Sequence, residues 1–201
     1  MGRACRTCAA LVGAIAILSG CAVAPRLFQS TPGSNQFVGR ELSASFTASG
    51  RVAARVIGET ARGFSGGFTW RHRPDNDVIE LLTPLGQIAG RMSVSGNRAE
   101  VETSDGRKTV AENPEQFFAD NLGVALPLAA LPNWMQGVPL AGTTYRAEAD
   151  SKGRPTMLWQ AGWQIQYSEY VDETPGARPA RLQLNQGGVE ARMIISEWSS
   201  P

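Results

Sequence analysis

Most of the chain beyond residue 42 alternates apolar and polar side chains with a period of two. This pattern is typical of β-strands that bury one face and expose the other. Short segments rich in glycine, asparagine, aspartate and serine separate the strands, and loops that short can join antiparallel neighbours only. We therefore predict an antiparallel sheet with one apolar face. The clearest alternating stretches are 64–70, 88–94, 99–103, 163–167 and 189–195.

Residues 113–137 interrupt this pattern and predict helical structure. Asn113 is a favourable N-cap, Pro114 suits the first helical turn, and Gly123 is a typical helix end. The stretch from Leu126 to Gly137 is apolar but broken by prolines, so it predicts a second, irregular helical piece rather than a strand. We expect both pieces to pack across the apolar face of the sheet as a lid. They would either complete an ordinary core or leave an apolar pocket, and the pattern allows both.

The first twenty residues resemble a secretory signal peptide. Arg3 and Arg6 precede the apolar run 9–18, which is too short for a bilayer-spanning helix of about 20 residues. Leu18-Ser19-Gly20-Cys21 then resembles a bacterial lipobox. That resemblance implies cleavage before Cys21, diacylglycerol on its thiol and acylation of its amino group, because stable anchoring needs more than one acyl chain.

This processing predicts three parts. Residues 1–20 form the signal peptide, residues 21–42 hold the lipidated cysteine and a flexible linker, and residues 43–201 form a single domain. Cys5 and Cys8 lie in the signal peptide, so the mature chain would have no free thiol once Cys21 is lipidated.

The composition argues against several classes of function. Hydrophobic residues make up 42% of the chain, enough for a core, and the formal net charge is +1, which provides no general attraction to nucleic acid. The only histidine, His72, lies in a polar hairpin end with Asp75 and Asp77. We expect a solvated turn there rather than a catalytic base or a metal site. Because the sequence also has no Walker-type phosphate loop, we expect no enzymatic or nucleotide-dependent activity.

Several motifs together resemble the LolB family of outer-membrane lipoproteins, and the resemblance extends from about Phe46 to Trp198. It implies an antiparallel sheet curled into an unclosed barrel, in which helices cover a concave apolar face that takes acyl chains. The motifs are Gly50-Arg51-Val52-Ala53, Phe68-Thr69-Trp70, Thr83-Pro84-Leu85-Gly86-Gln87, Leu126-Pro127-Leu128 and Gln160-Ala161-Gly162-Trp163.

The same resemblance implies a role in lipoprotein transport. Such a protein accepts triacylated lipoproteins from a LolA-type periplasmic carrier and inserts them into the outer membrane, as a monomer and without a cofactor beyond the lipid on Cys21. In enteric bacterial lipoproteins an aspartate after the lipidated cysteine usually marks retention in the inner membrane. By resemblance, Ala22 at that position therefore indicates the outer membrane, with the protein anchored on the periplasmic side. Two other functions stay open: a scaffold lipoprotein that binds protein partners through a sheet edge, and a carrier of free lipid.

Two sets of site residues follow from the resemblance. Pro84, Leu85 and Gly86 match a protruding loop whose exposed leucine enters the bilayer, and a leucine between proline and glycine at a loop tip is expected to contact water. The second set comprises candidates for the wall of the acyl-chain cavity, for each of which ordinary core packing stays an alternative. These are Trp70, Leu82, Ile88, Met92, Phe117, Phe118, Leu122, Leu128, Leu131, Trp134, Trp159, Trp163, Ile165, Tyr167 and Trp198.

Overall fold

The computed structural model describes residues 39–58 and 63–200, which form one antiparallel sheet of eleven strands and two short helices. The strands are β1 (Phe46–Val56), β2 (Gly63–Arg73), β3 (Asn76–Leu82), β4 (Ile88–Ser95), β5 (Arg98–Thr103), β6 (Lys108–Ala111), β7 (Tyr145–Ala149), β8 (Pro155–Gln160), β9 (Trp163–Tyr170), β10 (Pro179–Gln186) and β11 (Val189–Ser199).

The strand order makes the sheet an unclosed barrel. The order is β6-β5-β4-β3-β2-β1-β11-β10-β9-β8-β7, so the first and last strands of the chain pair in the middle, and β6 and β7 lie at the two edges. Within the described residues the two edge strands do not pair with each other. The predicted curled antiparallel sheet is confirmed.

The apolar face of this sheet is concave and holds the core. On β1 the buried positions include Phe46, Ala48 and Val52, which alternate with exposed or half-buried residues as predicted. The same alternation on β9 buries Trp163, Ile165 and Tyr167. Partners across the strands continue one buried layer; Leu182, for example, lies opposite Tyr167 on one side and Met193 on the other.

The two helices lie where the interruption of the strand pattern predicts them. Helix α1 is Pro114–Leu122, with the Asn113 side chain accepting a hydrogen bond from the Gln116 amide and with Gly123 in the left-handed conformation that ends a helix. Helix α2 is Leu131–Met135, a single short turn that begins near two prolines.

Gly50 permits a close approach between the two central strands. It lies at a register shift in the β1–β11 pair, and a Cβ built on it would be 1.9 Å from the carbonyl oxygen of Ile194. No side chain fits in that space without moving the backbone.

We therefore expect Gly50→Ala to lower the free energy of unfolding by at least about 2 kcal/mol, as overpacking against rigid backbone does. Urea denaturation of the purified protein measures this change. Gly176→Ala is the matched control, because a Cβ at Gly176 meets nothing within 4 Å and should leave stability unchanged. Equal stability of the two variants would contradict the expectation.

Candidate functional site: the covered concave face

The segment between β6 and β7 runs from one edge of the open barrel to the other and covers the concave face. It contains α1, α2 and the proline-interrupted chain around them. Its apolar side chains belong to the same buried cluster as the strands, with Phe118, Leu128, Leu131 and Trp134 all buried. Within residues 39–58 and 63–200, the apolar side of the sheet is thus covered by a short stretch of chain with two small helices.

Polar contacts attach α2 firmly to the sheet. The Trp134 indole is fully buried, lies 6.3 Å from the Trp163 ring, and donates from Nε1 to Oε1 of Gln160 at 2.8 Å. The Tyr167 hydroxyl donates to the Trp134 carbonyl oxygen at 2.9 Å. Burial raises the pKa of Tyr167 well above its ordinary value, so that hydroxyl keeps the proton it donates. The side chain of Gln136, just after α2, makes two hydrogen bonds with the backbone of Ser43. Its Oε1 accepts from the Ser43 amide, and its Nε2 donates to the Ser43 carbonyl oxygen.

Gln160 holds the chain after α2 as well. Its side-chain oxygen also accepts from the Leu140 amide, and its nitrogen donates to the carbonyl oxygens of Leu140 and Thr143. One buried glutamine therefore makes four hydrogen bonds that join β8 to α2 and to the approach to β7.

By contrast, the contacts between α1 and the sheet are apolar within the described residues. Phe118 is buried, and Phe117 and Leu122 are half-buried against the core. The side-chain hydrogen bonds of this helix stay within the covering segment, for example from the Ala129 amide to Glu115. Within the described part of the chain, none joins α1 to a strand.

A cleft of about 580 Å³ opens between the beginnings of both helices and the strands β2–β4. Its lining includes the apolar side chains of Trp70, Ile79, Val94 and Leu128 together with several polar residues. The volume lies within the range of ordinary small-ligand sites.

Twelve of the predicted cavity residues lie in or against the core on the concave side. Nine of these are buried and three are half-buried against the same cluster. The buried ones are Trp70, Met92, Phe118, Leu128, Leu131, Trp134, Trp163, Ile165 and Tyr167; the half-buried ones are Phe117, Leu122 and Trp198.

Leu82, Ile88 and Trp159 lie elsewhere, which corrects their predicted position on the cavity wall. A register shift between Leu81 and Leu82 places Leu82 opposite Ile88 on the convex face, where Ile88 is 46% exposed. Trp159 is half-buried and stacks under the Arg146 guanidinium, 4.2 Å from its ring centroid, on the face opposite that of Leu158 and Gln160.

The predicted loop protrudes from the end of β3. The Thr83 amide donates to the Gln87 carbonyl and the Gly86 amide to the Thr83 carbonyl, which closes a tight turn with Gly86 at φ 80°. Leu85 is 87% exposed at its tip, the most exposed large apolar side chain among the described residues. Cys21 and the signal peptide lie outside the described residues.

The polar hairpin end around His72 is more ordered than the predicted solvated turn. His72 and Asp77 belong to β2 and β3, and only residues 74–75 form the turn. Asp77 Oδ1 accepts from the Trp70 indole at 2.6 Å and lies 2.7 Å from Nδ1 of His72. Asp77 thereby holds Trp70, a wall residue of the cleft, in position.

Sequence reasoning assigned no role to Gln160 or Gln136. A signal was present, because Gln160 occupies the inward phase of β8, two residues after Leu158. An inward polar residue in a strand that ends at a tight turn indicates a buried hydrogen-bond partner. Within the described ranges no group of metal-ligating side chains occurs and no helix is long and apolar enough to cross a membrane.

An open antiparallel barrel with a helical cover over its apolar face defines the class of this protein. The same fold occurs in the crystal structure of a LolA superfamily protein from Nitrosomonas europaea, with a TM-score of 0.52, 12% sequence identity, and coverage of 81% of this chain and 88% of that one.

The sequence comparisons narrow the class to a family. Residues 44–198 match the family model for outer membrane lipoprotein LolB. Proteins named outer-membrane lipoprotein LolB are similar over most of their length: that of Azoarcus sp. strain BH72 is 37% identical over 183 residues (91% of this chain, 90% of the relative), and that of Dechloromonas aromatica strain RCB is 32% identical over 187 residues (92% and 93%). The chain belongs to the LolB family.

Proposed function

We propose that this protein is the outer-membrane receptor of a lipoprotein localisation pathway, which accepts lipoproteins from a LolA-type periplasmic carrier and inserts them into the outer membrane. The observation that carries the proposal is the family match, which spans the whole sheet and its cover. The names of the relatives support an outer-membrane location. Cys21 would hold the protein there through its diacylglycerol and N-acyl chains.

The cargo site would be the concave face beneath the covering segment. Each methylene group removed from water contributes about 0.8 kcal/mol, so the acyl chains of a triacylated lipoprotein cannot cross the aqueous periplasm uncovered. The buried aromatic and aliphatic side chains of the sheet offer an apolar surface for them. Transfer then requires no cofactor, because each acceptor need only bind the chains more favourably than the preceding donor.

Opening of the cover would begin at α1. Moving α2 breaks buried hydrogen bonds at Trp134 and Tyr167. Moving α1 separates apolar contacts, which an acyl chain would replace, and one exposed hydrogen bond from the Ala129 amide to Glu115. Gly123, in its left-handed conformation, and the N-cap Asn113 bound the piece that moves. The 580 Å³ cleft beside Trp70 and Leu128 is then the beginning of the acyl-chain site.

This mechanism predicts faster hydrogen exchange in α1 than in the strands of the sheet. We expect the amides of Phe118–Leu122 to exchange at least about tenfold faster than those of β9, such as Ile165, since local opening requires less free energy than global unfolding. Exchange followed by NMR or mass spectrometry on the unloaded protein measures this. Equal protection of α1 and β9 would refute opening at α1.

Transfer of a labelled lipoprotein tests the proposed function directly. The mature protein is reconstituted in liposomes, and a fluorescent triacylated lipoprotein is supplied on its LolA-type carrier. We expect the lipoprotein to move to the liposomes only when the protein is present. A protein that takes no lipoprotein from the carrier, yet binds an apolar dye, would instead be a carrier of free lipid.

A further inference from the structure

We propose that Leu85 is only the tip of a larger membrane-binding wedge, formed by Leu82, Leu85, Ile88 and Arg51, that binds a phospholipid bilayer containing anionic headgroups. The proposal rests on the proposed function, since it extends the part of the molecule that contacts the acceptor membrane. These four residues are called the membrane wedge below.

The apolar part of the wedge is continuous along one hairpin. Leu82 and Ile88 are direct partners at the base of the β3–β4 connection, and Leu85 extends from its tip. Direct partners across an antiparallel pair share one face of the sheet. The three side chains therefore form one outward-facing apolar strip, of which Leu85 is 87% and Ile88 46% exposed.

Gly67 shows that this strip lies on the convex face. A Cβ built on Gly67 would lie 3.1 Å from Cβ and 3.2 Å from Cδ1 of Leu82, so the Leu82 side chain extends over the glycine. The next residue on β2, Phe68, is buried on the concave side. The wedge is thus separate from the acyl-chain site, on the opposite surface of the same strands.

Arg51 adds a cation to the same row. Arg51 pairs with Gly67, Gly67 with Leu82, and Leu82 with Ile88, so all four positions lie on the convex face across four adjacent strands. Neighbouring strands are about 4.8 Å apart, which puts Arg51 about 10 Å from Leu82. The arginine stem can lie along the apolar surface between the two positions while its guanidinium stays in water.

The charge of Arg51 is free to bind a partner. It is exposed, and its side chain makes no ion pair or hydrogen bond with any part of the chain that the structure describes. The other arginines of this convex region differ, because Arg71 and Arg91 both bind the carboxylate of Glu80. A free guanidinium beside an apolar strip matches a bilayer surface, where phosphates lie directly above hydrocarbon.

Depth-dependent fluorescence tests the apolar half of the proposal. Because Cys21 is the single cysteine expected in the mature chain and is acylated, an introduced cysteine supplies the only free thiol. Leu85→Cys, Ile88→Cys and Val171→Cys are each labelled with an environment-sensitive dye in the lipidated full-length mature protein. The vesicles contain phosphatidylethanolamine, phosphatidylglycerol and a lipid with a nitroxide on its acyl chain. Val171 is the control, since it is 50% exposed and follows β9 at the other end of the barrel.

We expect quenching at positions 85 and 88 to be at least about twofold stronger than at position 171. Quenching at 85 alone would overturn the wedge and leave the proposed function intact. Quenching at neither would overturn the wedge and also contradict the expectation that Leu85 enters the bilayer. Equal quenching at all three positions would overturn any oriented contact.

A charge variant tests the other half. We expect the wild-type protein to insert more lipoprotein into vesicles that contain phosphatidylglycerol than into phosphatidylcholine vesicles, and no such increase would overturn the role of anionic headgroups. Arg51→Gln should lose at least about half of the increase, and Arg51→Lys should retain most of it. Arg73→Gln is the matched control, an exposed arginine at the far end of β2. An unchanged lipid dependence in Arg51→Gln would overturn the assignment of Arg51, because removal of a bound cation must weaken the response to anionic lipid.

Discussion

Replacing Leu85 by glutamate should block delivery to the membrane while leaving acceptance from the carrier intact. The side chain is 87% exposed at the tip of a tight turn, so the substitution removes no packing within the protein. In contact with the bilayer it loses about 2 kcal/mol of leucine burial and adds the cost of placing a carboxylate near hydrocarbon. At 1.4 kcal/mol for each factor of ten, insertion should fall by at least about twentyfold.

Two separate measurements check this result. Release of labelled lipoprotein from the carrier reports acceptance, and its recovery in liposomes reports insertion. Val171→Glu is the control, an apolar-to-acidic change at an exposed position at the other end of the barrel, and should leave both unchanged. Normal insertion by Leu85→Glu would remove this leucine from the mechanism; loss of acceptance as well would show that the loop contacts the carrier.

Gln160→Leu should strongly destabilise the attachment of the cover to the sheet. The substitution leaves the Trp134 indole N–H, the Leu140 amide and two carbonyl oxygens without partners in a buried site. Each unsatisfied buried group costs about 1–3 kcal/mol, so even with partial relaxation we expect a loss of at least about 3 kcal/mol in the free energy of unfolding. Leucine is otherwise well suited to a buried strand position. A loss of stability would therefore report the missing hydrogen bonds rather than an unsuitable side chain.

Gln164→Leu is a closely matched control. Gln164 lies four residues further along the chain and is exposed on the convex face. Among the described residues its side chain makes a single hydrogen bond, a long contact to the Met157 sulfur. We expect its free energy of unfolding to change by less than about 0.5 kcal/mol. Urea denaturation of both variants measures the difference. A stability of Gln160→Leu close to wild type would mean that α2 is not held by this residue, and the argument for opening at α1 would lose its basis.

The two proposals assign opposite faces of the same strands to different lipids. Phe68 and Ile79 point to the concave side that would hold the cargo chains, while Gly67 and Leu82 belong to the convex side that would meet the acceptor bilayer. Because a strand directs successive side chains to opposite faces, the β2–β3 pair can contact the cargo chains on one face and the acceptor bilayer on the other. Only the thickness of the sheet separates the two lipid sites. Variants on the two faces should therefore affect acceptance and insertion separately.

Sequence periodicity predicted the buried faces well where the strand ladder is regular. Trp163, Ile165 and Tyr167 are all buried, because the pairing of β9 with both neighbouring strands stays in register over residues 163–167. Periodicity failed at Ile88, where a register shift moves the side chain to the other face, and such a shift depends on the partner strand rather than on local residue types.

Hydrophobicity failed at Trp159 for a different reason. Between Trp159 and Gln160, the more apolar residue was expected on the concave side, yet the glutamine is directed inward. Its four hydrogen bonds reach residues 17 to 26 positions away in the sequence. The energy that decides the orientation of these two side chains is therefore absent from any local window of sequence.

Local interactions alone determined the strands, the capped helix α1 and the tight turn that carries Leu85, since alternation, an N-cap asparagine and a proline-glycine pair act within a few residues. The tertiary structure decided which strands form the open edges, which helix is fastened to the sheet, and that Arg51, Leu82 and Ile88 share one surface. Each of these depends on contacts between segments distant in the chain, and their free energies exist only after the sheet has formed.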